Sequence, residues 1–308
     1  MSHRCYICYK NDLPEGQFYH KACSKRIFGT EEAPEVPYTY EEMKELAKQI
    51  IESQQGVTGV QPKISLGLDR IMGERKRLTV MTGEYILKPP SENYSQMPKN
   101  EDLTMHLAHE ANISTVPHAL IPLASGELAY ITKRIDRTSK GKIHMEDFQQ
   151  LAGVADKYHS SMEKVGKLVS QYANLPMLGL VSVYEIIMFC FLTGNADMHL
   201  KNFSLIDRKG AGTFFLSPAY DLLNTNILLP QDKEEMALPI NGKKARLKLS
   251  DFKDLAYRYG LDNRQFEYIT ENMRSLSDTF KQWIENSFLN DKNKELYTNL
   301  LDDRMKRL

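Results

Sequence analysis

Residues 192–205 read LTGNADMHLKNFSL, a polar knot of Asn195, Asp197, His199, Lys201 and Asn202 between two apolar stretches. Four residues separate Asp197 from Asn202. At that spacing one tight loop can aim a carboxylate at an attacking hydroxyl and an amide oxygen at a metal ion. The pairing suits phosphoryl transfer, where the protein's work is positioning and charge neutralisation. Three further features follow the same chemistry. LSPAYDLL places Asp221 just after a short strand, where a second metal ligand is wanted. EYILKPP ends an alternating strand in Lys88, suited to α- and β-phosphates, and GVTGVQPK is a glycine-containing turn ahead of a strand. Along the chain the order is glycine turn, strand lysine, D-x4-N, metal aspartate.

Each of these has a plainer reading on its own. Asp and Asn after a helix are usually capping and turn residues. A strand lysine is usually a solvated edge charge, and a G-x-x-G turn is usually only a turn. That account leaves unexplained why so many polar groups follow an apolar helix. D-x4-N is also the spacing of the protein-kinase catalytic loop, with Asp accepting the substrate proton and Asn holding Mg²⁺.

The elements that must carry these residues are legible from period and punctuation. Thr39 is placed to N-cap a helix over YEEMKELAKQIIESQ, with acidic residues in its first turn. From Gly56 to Pro90, turns separate the short runs KISLGL, LTV and EYILK, the pattern of a small antiparallel sheet. NEDLTMHLAHEANI has helical spacing, LIPLA and LAYITKRID read as strands, and RTSKGKIH reads as a connector. After Met145 the chain is expected to turn helical through EDFQQLAGVAD, SMEKVGKLVSQYA and LVSVYEIIMFCFLTG. Two short strands, FSLI and TFFLS, then flank the turn DRKG, and residues 250–308 carry more helical patterns. TEEAPEVPYT, with its prolines and glutamates, reads as an exposed connector. The expected organisation is a prelude over 1–37, a β-rich lobe over 38–140 and a helical lobe over 141–308, with two lobes around a cleft.

Bulk composition narrows the class. The chain has 308 residues, 42% apolar and 26% charged, an ordinary globular balance. Lys plus Arg (40) equals Asp plus Glu (40), so no overall field calls for nucleic acid or a membrane surface. MSHRCYICYK has no apolar run after its positive residues, which speaks against a secretory signal. LPMLGLVSVYEIIMFCFL contains Pro176 and Glu185 and reads as a buried helix rather than a membrane span. Four cysteines, three near the N-terminus, form no disulfide framework, so a reducing cytoplasm is the expected compartment. Those three are arranged with a histidine. Cys5, Cys8, His20 and Cys23 give C-x2-C-x11-H-x2-C, two close pairs that suit tetrahedral Zn²⁺ in a structural role. The competing reading is a small apolar cluster with Tyr6, Ile7, Phe18 and Tyr19.

GNADMHLKNFSL resembles the G-N-x-D-x-H-x-K-N signature of the HipA-like serine/threonine kinases of bacterial toxin–antitoxin systems. GVQPKISL, YILKPP, NEDLTMHLA, ITKRIDR, HMEDFQQLAG and SPAYDLL resemble that family's blocks in the same order, over about residues 50–225. The resemblance implies an α+β, bilobal protein-kinase-like fold and an ATP-dependent serine/threonine protein kinase acting as a toxin. Asp197 then matches the catalytic aspartate, Asn202 and Asp221 the Mg²⁺ ligands, and Lys88 the nucleotide lysine. Thr58, Gly59, Val60, Gln61, Pro62 and Lys63 fall on the ATP loop, and Lys133, Arg134 and Ile135 on the adenine-side hinge. His199, Leu200 and Lys201, with Tyr220, Leu222 and Leu223, line the rest of the nucleotide site. Glu101 is the candidate partner of Lys88, by analogy with the kinase Lys–Glu pair.

The same resemblance implies an aminoacyl-tRNA synthetase as substrate, a HipB-like DNA-binding antitoxin and a small HipS-like neutralising protein as partners, and no direct contact with nucleic acid or membrane. Family toxins often carry an extra N-terminal subdomain of about one hundred residues. This sequence has no room for one and looks like the shorter, HipT-like form. Gly56 and Thr58 stand where family members have autophosphorylated serines, leaving Thr58, and after it Ser53, as candidates. Two other readings remain open: a small-molecule phosphotransferase, and a nucleotide-binding interaction protein without catalysis.

Overall fold

A computed structural model of the chain describes residues 3–53, 63–69, 76–138 and 141–308, with backbone alone over 50–53. Two compact units divide it. The first takes Met1–Asp102, Val116–Lys140 and Asn286–Phe288, and the second Leu103–Thr115, Gly141–Glu285 and Leu289–Leu308.

The first unit holds α1 (Lys21–Phe28), α2 (Tyr40–Ser53), β1 (Ile64–Asp69), β2 (Arg77–Val80), β3 (Tyr85–Lys88) and the start of α3 (Met97–Glu110). β4 (His118–Pro122), β5 (Leu128–Lys133) and β6 (Arg137–Thr138) follow. The runs read as strands do pair, in a five-stranded antiparallel sheet ordered β2-β1-β3-β5-β4. Alternation sends Ile64 and Leu66 of β1, and Tyr85 and Leu87 of β3, into one core with Ile7, Ile27, Val36 and Met43. Thr39 caps α2 as expected. Its hydroxyl accepts from the Glu42 N–H at 3.3 Å and its own N–H donates to the Glu42 carboxylate at 2.7 Å. The N-terminal segment lies along β4, the outer strand. Leu120 N–H donates to the Tyr6 carbonyl at 3.1 Å and the Tyr19 hydroxyl to the Leu120 carbonyl at 2.8 Å. Otherwise exposed edge groups are thereby satisfied.

Two connectors turn out to be structured. TEEAPEVPYT buries Pro34 and Val36, and Glu35 bridges Arg77 in parallel, with its N–H on the Lys76 carbonyl at 3.0 Å. Pro and Glu there mark an edge rather than an exposed link, because alternate residues can still face a core. RTSKGKIH contributes strand residues at β6, at β7 (Gly141–Lys142) and at the start of β8 (His144–Asp147).

In the second unit β8 begins a three-stranded antiparallel sheet, β10-β9-β8, with β9 (Ser204–Asp207) and β10 (Phe215–Leu216). Glu146 and Asp147, expected in a helix, are therefore in a strand. Asp147 ends it and N-caps α4 (Phe148–Ala152) in a capping box with Gln150. α5 (Met162–Tyr172), α6 (Pro176–Thr193), α7 (Thr225–Leu228), α8 (Leu249–Arg258), α9 (Asn263–Ser275), α10 (Ser277–Glu285) and α11 (Asp291–Met305) complete the unit. α6 is apolar on every face, as a central core helix must be. It is long and apolar enough to cross a bilayer, yet 67% of it is buried inside the protein.

Candidate active site

α6 stops where the polar knot begins. Gly194 caps it in the left-handed region, φ 69°, returning its N–H to Cys190 and Phe191 carbonyls. A side chain there would also meet Asn224, since a Cβ would lie 2.8 Å from the Asn224 Oδ1. The Ala196 N–H donates to the Thr225 hydroxyl at 2.8 Å and the Asp197 N–H to the Asn195 Oδ1 at 3.1 Å. A single 3-10 turn, Leu200–Asn202, closes the loop. The Asn202 amide donates its NH₂ to the Asp197 carbonyl at 3.0 Å. That bond ties the two ends of D-x4-N together.

The Asp197 carboxylate is held by side chains that carry no positive charge. Tyr158 donates its hydroxyl to Asp197 Oδ1 at 2.6 Å, and His199 Nε2 lies 3.9 Å from the same oxygen. The Tyr158 ring stands edge-on to the His199 ring, with centroids 5.1 Å apart. Burial, reinforced by the Asp197 hydrogen bond and charge, keeps the Tyr158 phenol protonated far above its ordinary range. Burial also pushes the His199 imidazole below its ordinary value, against the opposing pull of the Asp197 and Asp221 carboxylates, so it stays neutral near pH 7. His199 is 5% exposed, and its Nδ1 has no hydrogen-bond partner among the described residues.

Asp221 occupies a left-handed backbone position, φ 60°, uncommon for a residue with a side chain and characteristic of functional turns. On either side of it, the Tyr220 hydroxyl donates to the Lys201 carbonyl at 3.0 Å while Leu222 and Leu223 are buried. The Ala219 N–H donates to the Ser114 carbonyl at 2.7 Å. Asp221 is thus fixed at the surface of a packed segment, near enough to His199 to act on it.

The remaining candidate residues belong to the first unit. Lys88, at the end of β3, is buried with its Nζ 2.5 Å from the Glu101 Oε1 of α3. The same ammonium lies 5.4 Å from the centre of the Tyr130 ring, its cross-strand neighbour. Next to Glu101, Asp102 accepts from the Tyr9 hydroxyl and from His118 Nδ1, each at 2.7 Å. Lys133 ends β5, and Arg134 and Ile135 follow. The Arg134 guanidinium is taken up bidentately by Asp136, at 3.0 and 2.9 Å. Lys63 is exposed just ahead of β1. Thr58, Gly59, Val60, Gln61 and Pro62, with Gly56, lie outside the described residues, as does the side chain of Ser53.

Cys5, Cys8, His20 and Cys23 come together, their ligand atoms all within 4.8 Å of one another. The apolar reading of this segment holds beside it, with Tyr6 stacked on Phe18 and edge-on to Tyr19.

Tyr158, Asp12, Asp102 and His118 were not singled out by sequence reasoning. For Tyr158 no local signal exists, since it reaches Asp197 across 39 residues.

A strand lysine paired to a helix glutamate on an antiparallel sheet, with a D-x4-N loop in a helical unit, defines an α+β fold of the protein-kinase-like type. The chain belongs to the HipA-like C-terminal domain family, which it matches over residues 55–281. It is 29% identical over 209 residues to a protein of Haemophilus influenzae provisionally named a kinase, covering 63% of this chain and 59% of that one. A similarly named protein of Sinorhizobium fredii is 37% identical over 159 residues, 46% of this chain and 38% of its own. The chain thus spans only about two fifths to three fifths of these relatives. In fold it is similar to HipA of Shewanella oneidensis, solved with HipB and operator DNA, at TM-score 0.69 and 19% identity over 96% of this chain and 74% of that one. It also resembles the proinflammatory kinase CtkA of Helicobacter pylori, at TM-score 0.54 and 14% identity over 80% and 93% of the two chains.

Proposed function

We propose that this chain is an ATP-dependent serine/threonine protein kinase, the toxin of a toxin–antitoxin pair. The observation that carries the reading is the D-x4-N loop itself: an Asp197 carboxylate 45% exposed, on a backbone immobilised by Asn195, Thr225 and Asn202. With Tyr158 on Oδ1, Oδ2 of Asp197 is left for the substrate hydroxyl and would take its proton as that oxygen attacks phosphorus. The phenol, staying protonated, holds the carboxylate in one rotamer without neutralising it.

The Asn202 amide oxygen and the Asp221 carboxylate are hard oxygen donors, the set that suits Mg²⁺, and these two residues would hold it. Magnesium, when bound, neutralises charge on the β- and γ-phosphates. Lys88, kept in one position by Glu101, would pair with the α- and β-phosphates, and Lys63 with its preceding loop would cover them. The backbone of Lys133, Arg134 and Ile135 would take the adenine edge. Thr58 is the candidate for self-phosphorylation, adding negative charge beside the phosphates.

A HipB-like antitoxin, a HipS-like neutraliser and an aminoacyl-tRNA synthetase substrate in the cytoplasm complete the proposal. The antitoxin is supported by the similarity to a HipA solved with HipB. Phosphoproteomics of cells expressing the protein, compared with cells expressing Asp197→Asn, tests it. A phosphoserine or phosphothreonine on a synthetase, absent with the variant, is the expected result. Phosphate appearing on a metabolite and on no protein would replace the reading with that of a small-molecule kinase.

A further inference from the structure

The N-terminal segment has little regular structure to hold it. Its described residues form one eight-residue helix, α1, and a bridge between His3 and Leu13. Yet it carries three cysteines and a histidine whose ligand atoms converge at the margin of the apolar core, with Cys5 buried in it and Cys8 and Cys23 packed against it. His20 Nδ1 lies 3.3 Å from the Cys8 Sγ and 3.7 Å from the Cys23 Sγ. A tetrahedral ion with sulfur at about 2.3 Å and nitrogen at about 2.0 Å sets neighbouring ligand atoms about 3.5–3.8 Å apart. The observed separations are the edges of such a tetrahedron, and all four ligand atoms fit within 4.8 Å.

Two local features build the arrangement. The Cys5–Cys8 turn is closed by the Tyr9 N–H on the Cys5 carbonyl at 3.0 Å, with Tyr9 forced to φ 61°, a left-handed value costly for a bulky residue. That turn brings Cys8 back over Cys5. The second pair sits at the start of α1, with His20 as its N-cap, making no side-chain capping bond, and Cys23 in the first turn. His20 is oriented from behind: its Nε2–H donates to the Asp12 Oδ1 at 2.7 Å, which leaves the Nδ1 lone pair facing the thiols. A carboxylate on the far nitrogen is the usual support of a metal-bound histidine. Packing alone requires none of this.

We propose that Cys5, Cys8, His20 and Cys23 form a closed structural zinc site that clasps the Cys5–Cys8 turn to the start of α1. On binding, the three thiols release their protons to solvent and bind as thiolates, with His20 neutral. Soft sulfur ligands with one imidazole select zinc over the hard cations, and four protein ligands leave no open position for catalysis. The clasp holds the segment whose Tyr6 and Tyr19 cover β4.

Elemental analysis of full-length protein, purified without tag or chelator, should give about one zinc per chain. Cobalt(II) exchanged into it should show the visible absorption of tetrahedral thiolate coordination. Asp12 is a surface residue, so Asp12→Asn should fold while its zinc affinity, measured by chelator competition, falls about 10- to 100-fold. Cys23→Ser should lose the metal and Cys190→Ser, in the α6 core, should keep it. Zinc near zero after refolding with the metal, unchanged affinity in Asp12→Asn, or a disulfide within this set in fresh protein would each overturn the proposal.

Discussion

Around Lys88, charge meets charge out of water: the ammonium and its Glu101 partner are 4% and 0% exposed. Around Asp197 the carboxylate is half in solvent, and what holds it is a phenol, a neutral imidazole and a backbone stitched by Asn195, Asn202 and Thr225. The contrast fits the two tasks proposed for these residues. A lysine meant to hold phosphates can be fixed by a permanent partner, because it keeps its charge and the partner compensates for lost hydration. A carboxylate meant to take a proton cannot be given a cation without losing basicity, so its geometry comes from neutral donors.

Removing the proposed base should have the largest effect. Asp197→Asn keeps the loop's backbone bonds and is expected to lower kcat about 10²- to 10⁴-fold with the melting temperature unchanged. Loss of activity through unfolding instead would break the assignment. Around Lys88, stability should respond first. Lys88→Met removes the cation that faces the buried Glu101 carboxylate, at a cost of about 3–5 kcal/mol in denaturant unfolding. Lys88→Met combined with Glu101→Leu should recover most of that stability and none of the phosphoryl transfer. A double variant no more stable than the single one would show that the pair is not the organising contact.

Tyr158→Phe probes the neutral support. The expected result is about a tenfold drop in kcat, corresponding to a charge-assisted hydrogen bond of about 1.5 kcal/mol, with KM for ATP unchanged. A change in KM alone would move Tyr158 from positioning the base to binding substrate.

The smallest effect concerns pH. The folded His199 has its pKa lowered, so it contributes stability that is present above the unfolded value of about 6.5. That stability is lost as pH falls through the folded value, because the unfolded chain binds the proton first. His199→Gln should flatten the decline in stability between about pH 7 and pH 5. An identical slope in the variant would place the acid sensitivity elsewhere.

Much of this was legible locally. The strands of KISLGL, LTV and EYILK, the Thr39 cap, and the apolar α6 ending at Gly194 each depend on contacts within a few residues or on one periodic face. RTSKGKIH was misread because turn-forming composition also occurs in short strands, where the neighbouring strand decides, while TEEAPEVPYT is a connector whose burial of Pro34 and Val36 its composition did not signal. Glu146 and Asp147 were misread because a short polar run before a helix looks alike whether it pairs with β9 or not.

Residue types and spacing determined which groups could act: Asp197 with Asn202, Lys88 on its strand, Asp221 after its own, and the paired cysteines with His20. Those are properties of local geometry, and a loop of four intervening residues can close in few ways. Tertiary structure alone decided which partners these groups keep. Glu101 meets Lys88, Tyr158 reaches Asp197 across 39 residues, and Asp102 gathers Tyr9 and His118. Such choices depend on where packed cores bring distant segments past one another, and no spacing along the chain records that.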